Sequence, residues 1–474
     1  MFKRALVLAM AAALAGFIIA GCSSDDTEAP PAATAKIRIV HASPDAGAVD
    51  VYIDTSASAW LPDFQYGESS TYSSRSTGTV TLMFREAGAD PGTAPIFTSD
   101  PIDMVAGASL TVLASGLVQS AADEDKFRLI IYEDGFQNSP TARARVVHAG
   151  SDALDVHVTI GATGQVLTNG LARWEESGRN GNVYEPGMIQ DIVVQMPDDQ
   201  ITSFRAPELE AQKDYYFFLI GLISGPGSAT NAFDLLIVGP GGVLALETIE
   251  LRDLRMVHTS PDIGAVDYYL AFGLGDRFQR ILTKDYVIYG DATDYGQLGI
   301  RQVNAEMYAV GADPEVDQPL FTQPVYIHDE AASTTAFAAG LAASQESDDT
   351  LRIFSLADSF GTPPRAFLPA RLVHACANLD SLKVDFGDDD SFEATMYRFT
   401  GNTEGWISLA ADTGLTMVVR EMGFGGAIVD VFTTAAMAAD KKFYLILTGL
   451  KDGTPEFSLL SVTDEKSLGF TPPD

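Results

Sequence analysis

The chain has 474 residues, with 64 Asp and Glu against 30 Lys and Arg, a formal charge of −34. So acidic a surface repels nucleic acid and excludes it as a partner, while 46% hydrophobic residues supply enough material for packed cores. Two cysteines, Cys22 and Cys376, rule out a disulfide-framed fold.

At the N-terminus, Lys3 and Arg4 precede an apolar run over 5–20 that ends in Ile19-Ala20-Gly21-Cys22. Sixteen such residues with a basic start and small residues at the end describe an export signal, too short to span a bilayer. The ending resembles the bacterial lipobox, in which cleavage before the cysteine follows attachment of lipid to its sulfur. That resemblance implies a lipoprotein signal peptide over 1–21 and an acylated Cys22 as the anchor to a lipid bilayer, since two or three acyl chains hold where one would not. Ser23 rather than Asp follows the cysteine. By the same resemblance this favours the outer membrane, on its periplasmic face or at the cell surface. Residues 23–35 carry no large apolar side chain, so 22–35 reads as a lipidated, disordered tether with the first domain beginning at Lys36.

Beyond the tether one phrase recurs four times: Arg38-Ile-Val-His41, Arg145-Val-Val-His148, Arg255-Met-Val-His258 and Arg371-Leu-Val-His374. Successive histidines are 107, 110 and 116 residues apart (41 to 148, 148 to 258, 258 to 374), each gap the size of a small domain. The chain therefore divides into repeats over 36–140, 141–250, 251–366 and 367–474. In the first, short runs rich in Val, Ile, Tyr, Phe and Thr occupy 37–42, 49–54, 63–66, 79–85, 96–102, 110–114 and 127–132, separated by Gly, Pro, Asp and Ser. Seven short strands and no amphipathic helix predict an all-β chain: a tandem array of four immunoglobulin-like antiparallel β-sandwich domains, with a barrel as the alternative.

A second phrase marks the far end of each repeat: Gly116-Leu117, Gly221-Leu222, Gly340-Leu341 and Gly449-Leu450. Repeats one and three also share Gly88-Ala-Asp-Pro91 with Gly311-Ala-Asp-Pro314, and Pro95-Ile-Phe-Thr98 with Pro319-Leu-Phe-Thr322. Repeats two and four lack both, which suggests that a two-domain unit was duplicated. Brief joints at 138–140, 246–252 and Pro363-Pro364 predict a semi-rigid rod.

After the first histidine the chain reads His41-Ala-Ser43-Pro44-Asp45-Ala-Gly47-Ala-Val49-Asp50-Val51-Tyr52, and repeat three reads His258-Thr-Ser260-Pro261-Asp262-Ile-Gly264-Ala-Val266-Asp267-Tyr268-Tyr269. This resembles the bacterial family known as domain of unknown function 4397, whose members carry a His-Ala-Ser-Pro-Asp turn and then Val-Asp-Val-Tyr, often in tandem on exported lipoproteins. The turn is altered around Asp152 in repeat two and Cys376 in repeat four. The family carries no assigned activity, so the resemblance speaks to fold and location.

An aspartate after the second strand's first apolar residue lies 9, 7, 9 and 11 residues beyond its histidine, at Asp50, Asp155, Asp267 and Asp385. Steps of two preserve the face of a strand. The histidine and aspartate are therefore expected in a fixed relation, as a cross-strand pair, with Ser43 and Asp45 capping local amides around Pro44. On this reading Arg38, His41 and Asp50, with their counterparts, are a structural staple. A Ser-His-Asp hydrolase is disfavoured because Gly150 and Cys376 replace the serine while the histidine stays. His148 with His157 is a weak metal candidate, and Asp385 with Asp388, Asp389 and Asp390 a weak calcium candidate, more simply read as a solvated acidic turn. Gly239-Pro-Gly241-Gly242 reads as a turn rather than a phosphate loop. No cofactor and no catalytic residue are expected. The favoured function is a structural or adhesive envelope rod binding a protein or glycan partner. The alternative is a periplasmic or surface ligand-binding protein, calcium-dependent or enzymatic, with one specialised repeat.

Overall fold

The computed structural model describes residues 33–463 apart from 137, 162, 226, 229, 276, 277, 388–390, 403, 404, 423–425 and 440. The export signal, Cys22, most of the tether and the Asp388–Asp390 triplet lie outside the described residues.

Among the described residues there is no α-helix, and each repeat closes as two main β-sheets around its own core, joined in domain 1 by a two-stranded ribbon of Gly78–Val80 and Ile102–Met104. In domain 1 one sheet runs, in spatial order, Arg128–Glu133, Ser109–Ser115, Thr34–Ala42 and Ser73–Ser76. The facing sheet runs Leu61–Phe64, Val49–Ile53, Leu82–Glu86 and Phe97–Thr98. The first strand starts three residues earlier than expected, at Thr34 rather than Ile37, inside the segment read as tether. Ala35 is buried there, and Thr34 pairs with Ser76. The polar strand Ser73–Ser76 escaped the sequence reading because it has no apolar face. It is an edge strand held by backbone pairing to the first strand, with the Arg75 guanidinium 5.1 Å from the Trp60 ring centre.

One strand pair per domain is parallel. The first strand lies beside the strand that leads into the Gly-Leu turn, with His41 opposite Ala114, His148 opposite Leu219, His258 opposite Ala338 and His374 opposite Leu447. A parallel pair needs a long crossover, and the intervening strands supply it.

This first strand is buried on both faces. Ile37 and Ile39 enter the core of domain 1, while Val40 and Ala42 enter a second cluster with Val147, Ala149, Tyr216 and Phe218 of domain 2. The histidine-bearing sheets of domains 1 and 2 are thus packed face to face. Domains 3 and 4 repeat the arrangement, with Val257 and Phe337 against Val373, Tyr444 and Ile446. The array is two docked pairs, and these sheet faces, rather than the stiffness of the joints at 138–140 and 363–364, set the geometry inside each pair.

Domains 2 and 3 meet differently. Leu274 of domain 3 inserts into the core of domain 2, and the amide of Gly273 donates to the carbonyl of Ile201 at 2.6 Å. Around them Arg205 pairs with Asp191 at 2.9 Å, and buried Arg301 pairs with Asp329 at 2.8 Å. An apolar plug ringed by ions joins the pairs.

Candidate functional site

Arginine and histidine of the recurring phrase stand three apart, and in a strand an odd separation places them on opposite faces. The histidine faces the core of its own domain and the arginine faces the partner domain. Arg38 Nη1 donates to the carbonyl of Gly239 at 2.8 Å and Nε to Thr111 Oγ1 at 2.8 Å, with its guanidinium 4.6 Å from the Tyr72 ring centre. Arg255 does the same in the second pair, reaching the Thr463 carbonyl at 2.6 Å and Thr335 at 3.0 Å beside Tyr295 at 4.6 Å. From the other side of each interface, Arg145 reaches the Glu133 carbonyl at 3.3 Å, and Arg371 donates to the carbonyl of Ala357. Each arginine grasps a carbonyl where the last strands of the partner domain end.

An aspartate gathers the hydroxyls around these arginines. Asp134 accepts from Tyr72, Thr111 and Tyr216 at 2.5, 2.8 and 2.6 Å. Asp358 accepts from Tyr295 and Tyr444, each at 2.6 Å. Burial, then the adjoining carboxylate, raises the tyrosine hydroxyls well above their ordinary range. Sequence reasoning passed over both aspartates. Their signal was the spacing Asp134-Gly-Phe136 and Asp358-Ser-Phe360 immediately after the last strands of repeats one and three. The two networks match, with Tyr72 and Tyr216 on Asp134 standing where Tyr295 and Tyr444 stand on Asp358.

The histidines hold turns. His41 Nε2 donates to the Gly47 carbonyl at 2.8 Å, His148 to Leu154 at 2.8 Å and His258 to Gly264 at 3.1 Å. With Nε2 carrying the proton, Nδ1 is left to accept the amides of Ser43 at 3.3 Å and Gly150 at 3.4 Å. Burial pushes all four rings below the ordinary value, to about 4 at His148 and about 3 at His374.

The residue four beyond each histidine joins the two recurring phrases. Asp45 accepts the amides of Val118 and Gln119 at 2.8 and 3.0 Å, Asp152 those of Ile223 and Ser224 at 2.7 and 2.9 Å, and Asp262 those of Ala342 and Ala343, both at 2.9 Å. Asn378 takes that place in domain 4, accepting the Lys451 amide at 2.9 Å. The caps are therefore not local, as the sequence suggested. They clamp the Gly-Leu turn at the other end of the domain. Ser43 Oγ adds a bond to the Gly116 carbonyl at 2.6 Å, and Ser260 Oγ one to Gly340 at 2.8 Å. Gly150 replaces the serine in domain 2 because a Cβ there would meet the Phe233 ring at 2.8 Å.

The histidine–aspartate relation expected from stepped spacing is absent, and this is a correction. Strand register aligns Val49, Val156, Val266 and Leu382, which face Phe64, Leu171, Val287 and Met396. Each lies eight residues after its histidine, so the turn has one length throughout (41 to 49, 148 to 156, 258 to 266, 374 to 382). The true counterparts of Asp50 and Asp267 are His157 and Lys383. Asp155 is exposed in the turn, and Asp385 is buried two positions further along its strand. Asp50 accepts the amides of Asp63 and Gly88 at 2.8 and 3.0 Å, and Asp267 those of Tyr286 and Gly311 at 2.8 and 2.7 Å. The Gly-Ala-Asp-Pro turn of repeats one and three is thus this aspartate's partner, and it is missing where the aspartate is missing. His157 points away from His148, with Nδ1 at 3.0 Å from Asn169 Oδ1, so the two rings form no pair. Gly239 and Gly242 pair as the ends of a hairpin.

Acid weakens these turns. Below the ordinary value near 6.5 the unfolded chain takes up protons at the four rings while the native chain does not. Stability is full above that value and falls as pH drops towards 4. Each ring contributes a slope of up to about 1.4 kcal/mol per pH unit. His148→Gln is expected to flatten the decline of the urea midpoint between pH 6.5 and 4, and an unchanged slope would show that this ring does not titrate on unfolding.

No curated protein matches the chain. Residues 24–159 match the family model described as domain of unknown function (DUF4397), a stretch covering all of domain 1 and running into the second strand of domain 2. It thus takes in both halves of the first docked interface's recurring phrase. Over this stretch the chain is similar to the domain of unknown function 4397 family.

Proposed function

We propose that this is an exported, lipid-anchored envelope protein whose paired sandwiches form a non-catalytic scaffold for binding a protein or glycan partner. The observation that carries the reading is how the recurring polar residues are used. The buried arginines, histidines, serines and aspartates spend their hydrogen bonds on backbone carbonyls and amides of the protein itself. A nucleophile and base would have to be free to meet a substrate. The lipobox-like Ile19-Ala20-Gly21-Cys22 supports the anchor, and the acidic surface supports an aqueous, exported setting.

The test is fractionation of cells making the wild-type or Cys22→Ser chain, with protease added to intact cells. Wild type is expected in the membrane fraction and Cys22→Ser in the soluble envelope fraction. Cleavage on intact cells assigns the surface, and protection assigns the periplasmic face. A Cys22→Ser chain that stays with the membrane as wild type does would remove the anchor from the proposal.

A second reading, one repeat specialised for a ligand, is favoured by a cleft at the first interface.

A further inference from the structure

In each domain the residue bonded to the motif histidine's carbonyl has a left-handed backbone. These are Gly67, Trp174, Gly290 and Phe399, with φ of 81°, 73°, 90° and 57°. Glycine is the ordinary occupant of that region, and a bulky aromatic there is strained. Both aromatics lie beside an arginine of the partner domain, Trp174 at 5.0 Å from Arg128 and Phe399 at 4.7 Å from Arg352. Both follow an arginine that pairs with an acid of the partner domain, Arg173 with Asp125 and Arg398 with Asp349.

The two places then diverge. In the second pair Arg398 also binds Asp380 and the Leu379 carbonyl, and Phe399 is buried. In the first, Arg173 turns to the Ser151 carbonyl instead. Asp155 is left exposed, without a hydrogen bond or ion pair among the described residues, and Leu154 is 54% exposed. Between them opens a cleft of about 620 Å³ lined by Glu124, Arg128, Leu154, Asp155, Arg173 and Trp174. The volume is in the range of small-ligand sites.

We propose that this cleft binds a neutral saccharide, an inference that rests on reading the protein as a non-catalytic binding scaffold and names the ligand class. Leu154 and Trp174, whose ring already has Arg128 at 5.0 Å and Arg173 at 5.6 Å, form a wall against which a sugar ring can lie. Asp155 and Glu124 accept from ring hydroxyls, and the guanidinium edges donate to ring and hydroxyl oxygens. Arg173 is already neutralised by Asp125, so Asp155 and Glu124 face Arg128 alone, and the slight acidic excess turns anions away. A polyanion meets a chain of charge −34, and a cationic side chain finds Arg128 already beside the indole. Trp174 also packs against the interface cluster of Val147, Tyr216 and Phe218, which holds its ring in place at the cleft.

The test titrates the full mature chain in detergent with maltohexaose, cellohexaose and chitohexaose, read by calorimetry and by indole fluorescence. At least one hexasaccharide is expected to bind saturably, with Kd below about 1 mM. Trp174→Gly is expected to weaken that binding about tenfold or more, and Asp155→Asn by roughly three- to tenfold. Gly67 and Gly290 at the equivalent place show that glycine suits this backbone, and the Asp155 carboxylate makes no hydrogen bond or ion pair among the described residues, so both variants are expected to unfold cooperatively. Binding of none of the three sugars, variants that bind as wild type does, or displacement by hexalysine or a heparin hexasaccharide overturns the proposal. Such a failure leaves the Cys22→Ser fractionation untouched, and loss of the anchor in that experiment leaves sugar binding untouched, so the two readings fall separately.

Discussion

Tyr216→Ala is expected to destabilise domains 1 and 2 together by about 3–5 kcal/mol while leaving domains 3 and 4 as they are. The ring is fully buried yet belongs to no single core. It stacks on Phe218 at 5.1 Å, lies 5.4 Å from the Arg38 guanidinium and 5.1 Å from that of Arg145, and gives its hydroxyl to Asp134 of domain 1 at 2.6 Å. Truncation opens a void between two sheets and strips Arg145 of one acceptor and Asp134 of one donor. Buried charge left short of partners adds to the cavity cost. Hydrogen exchange resolves the outcome by segment. Protection is expected to fall in Thr34–Ala42 and Ala142–His148 alike, with Phe367–His374 unchanged. Tyr444→Ala is expected to produce the mirror result in domains 3 and 4. Loss confined to domain 2 would mean the domains are independent beads after all.

The four sandwiches were legible in the sequence because strand alternation and two recurring phrases mark both ends of every repeat. The pairing was present in the same letters but is harder to read. Ile37 to Ala42 is apolar on both parities, and a strand apolar on both faces is covered on both faces. Arg38 and His41, an odd number apart, then belong to different interfaces, so one phrase encodes two tasks. The aspartates misled because they were aligned by residue type. Asp155 and Asp385 resemble Asp50 in letter, whereas strand register gives its place to His157 and Lys383. What no local pattern could supply is the far partner of each group. Gly239 lies 201 residues from Arg38, and Thr463 lies 208 from Arg255. Only the completed fold brings them together. The Trp174 cleft was hidden for a related reason, since its walls come from loops of two domains and its distinctive feature is a backbone angle.

Gly221→Ala is expected to cost domain 2 at least about 3 kcal/mol, far more than glycine's conformational freedom alone explains. Gly116, Gly221, Gly340 and Gly449 share φ of 88°, 90°, 93° and 86°, and the leucine after each makes a parallel bridge to the chain entering the last strand. A Cβ at these positions would lie far inside contact of a main-chain carbonyl: Lys126, Ala232, Thr350 and Glu456 in turn. Backbone cannot rotate aside as a side chain can, so the bridge must open. With it go the Phe233 amide bond to Leu222 at 2.8 Å and the Asp152 clamp on Ile223 and Ser224. Gly187→Ala in the same domain is the comparison. Its φ is 70°, but nothing lies within 4 Å of the added carbon, so only the left-handed strain of about 1–2 kcal/mol applies. Urea unfolding of the two variants separates the causes. Equal costs would show that conformational strain alone selects glycine there, and a larger cost at Gly221 identifies the close approach as what the Gly-Leu phrase encodes.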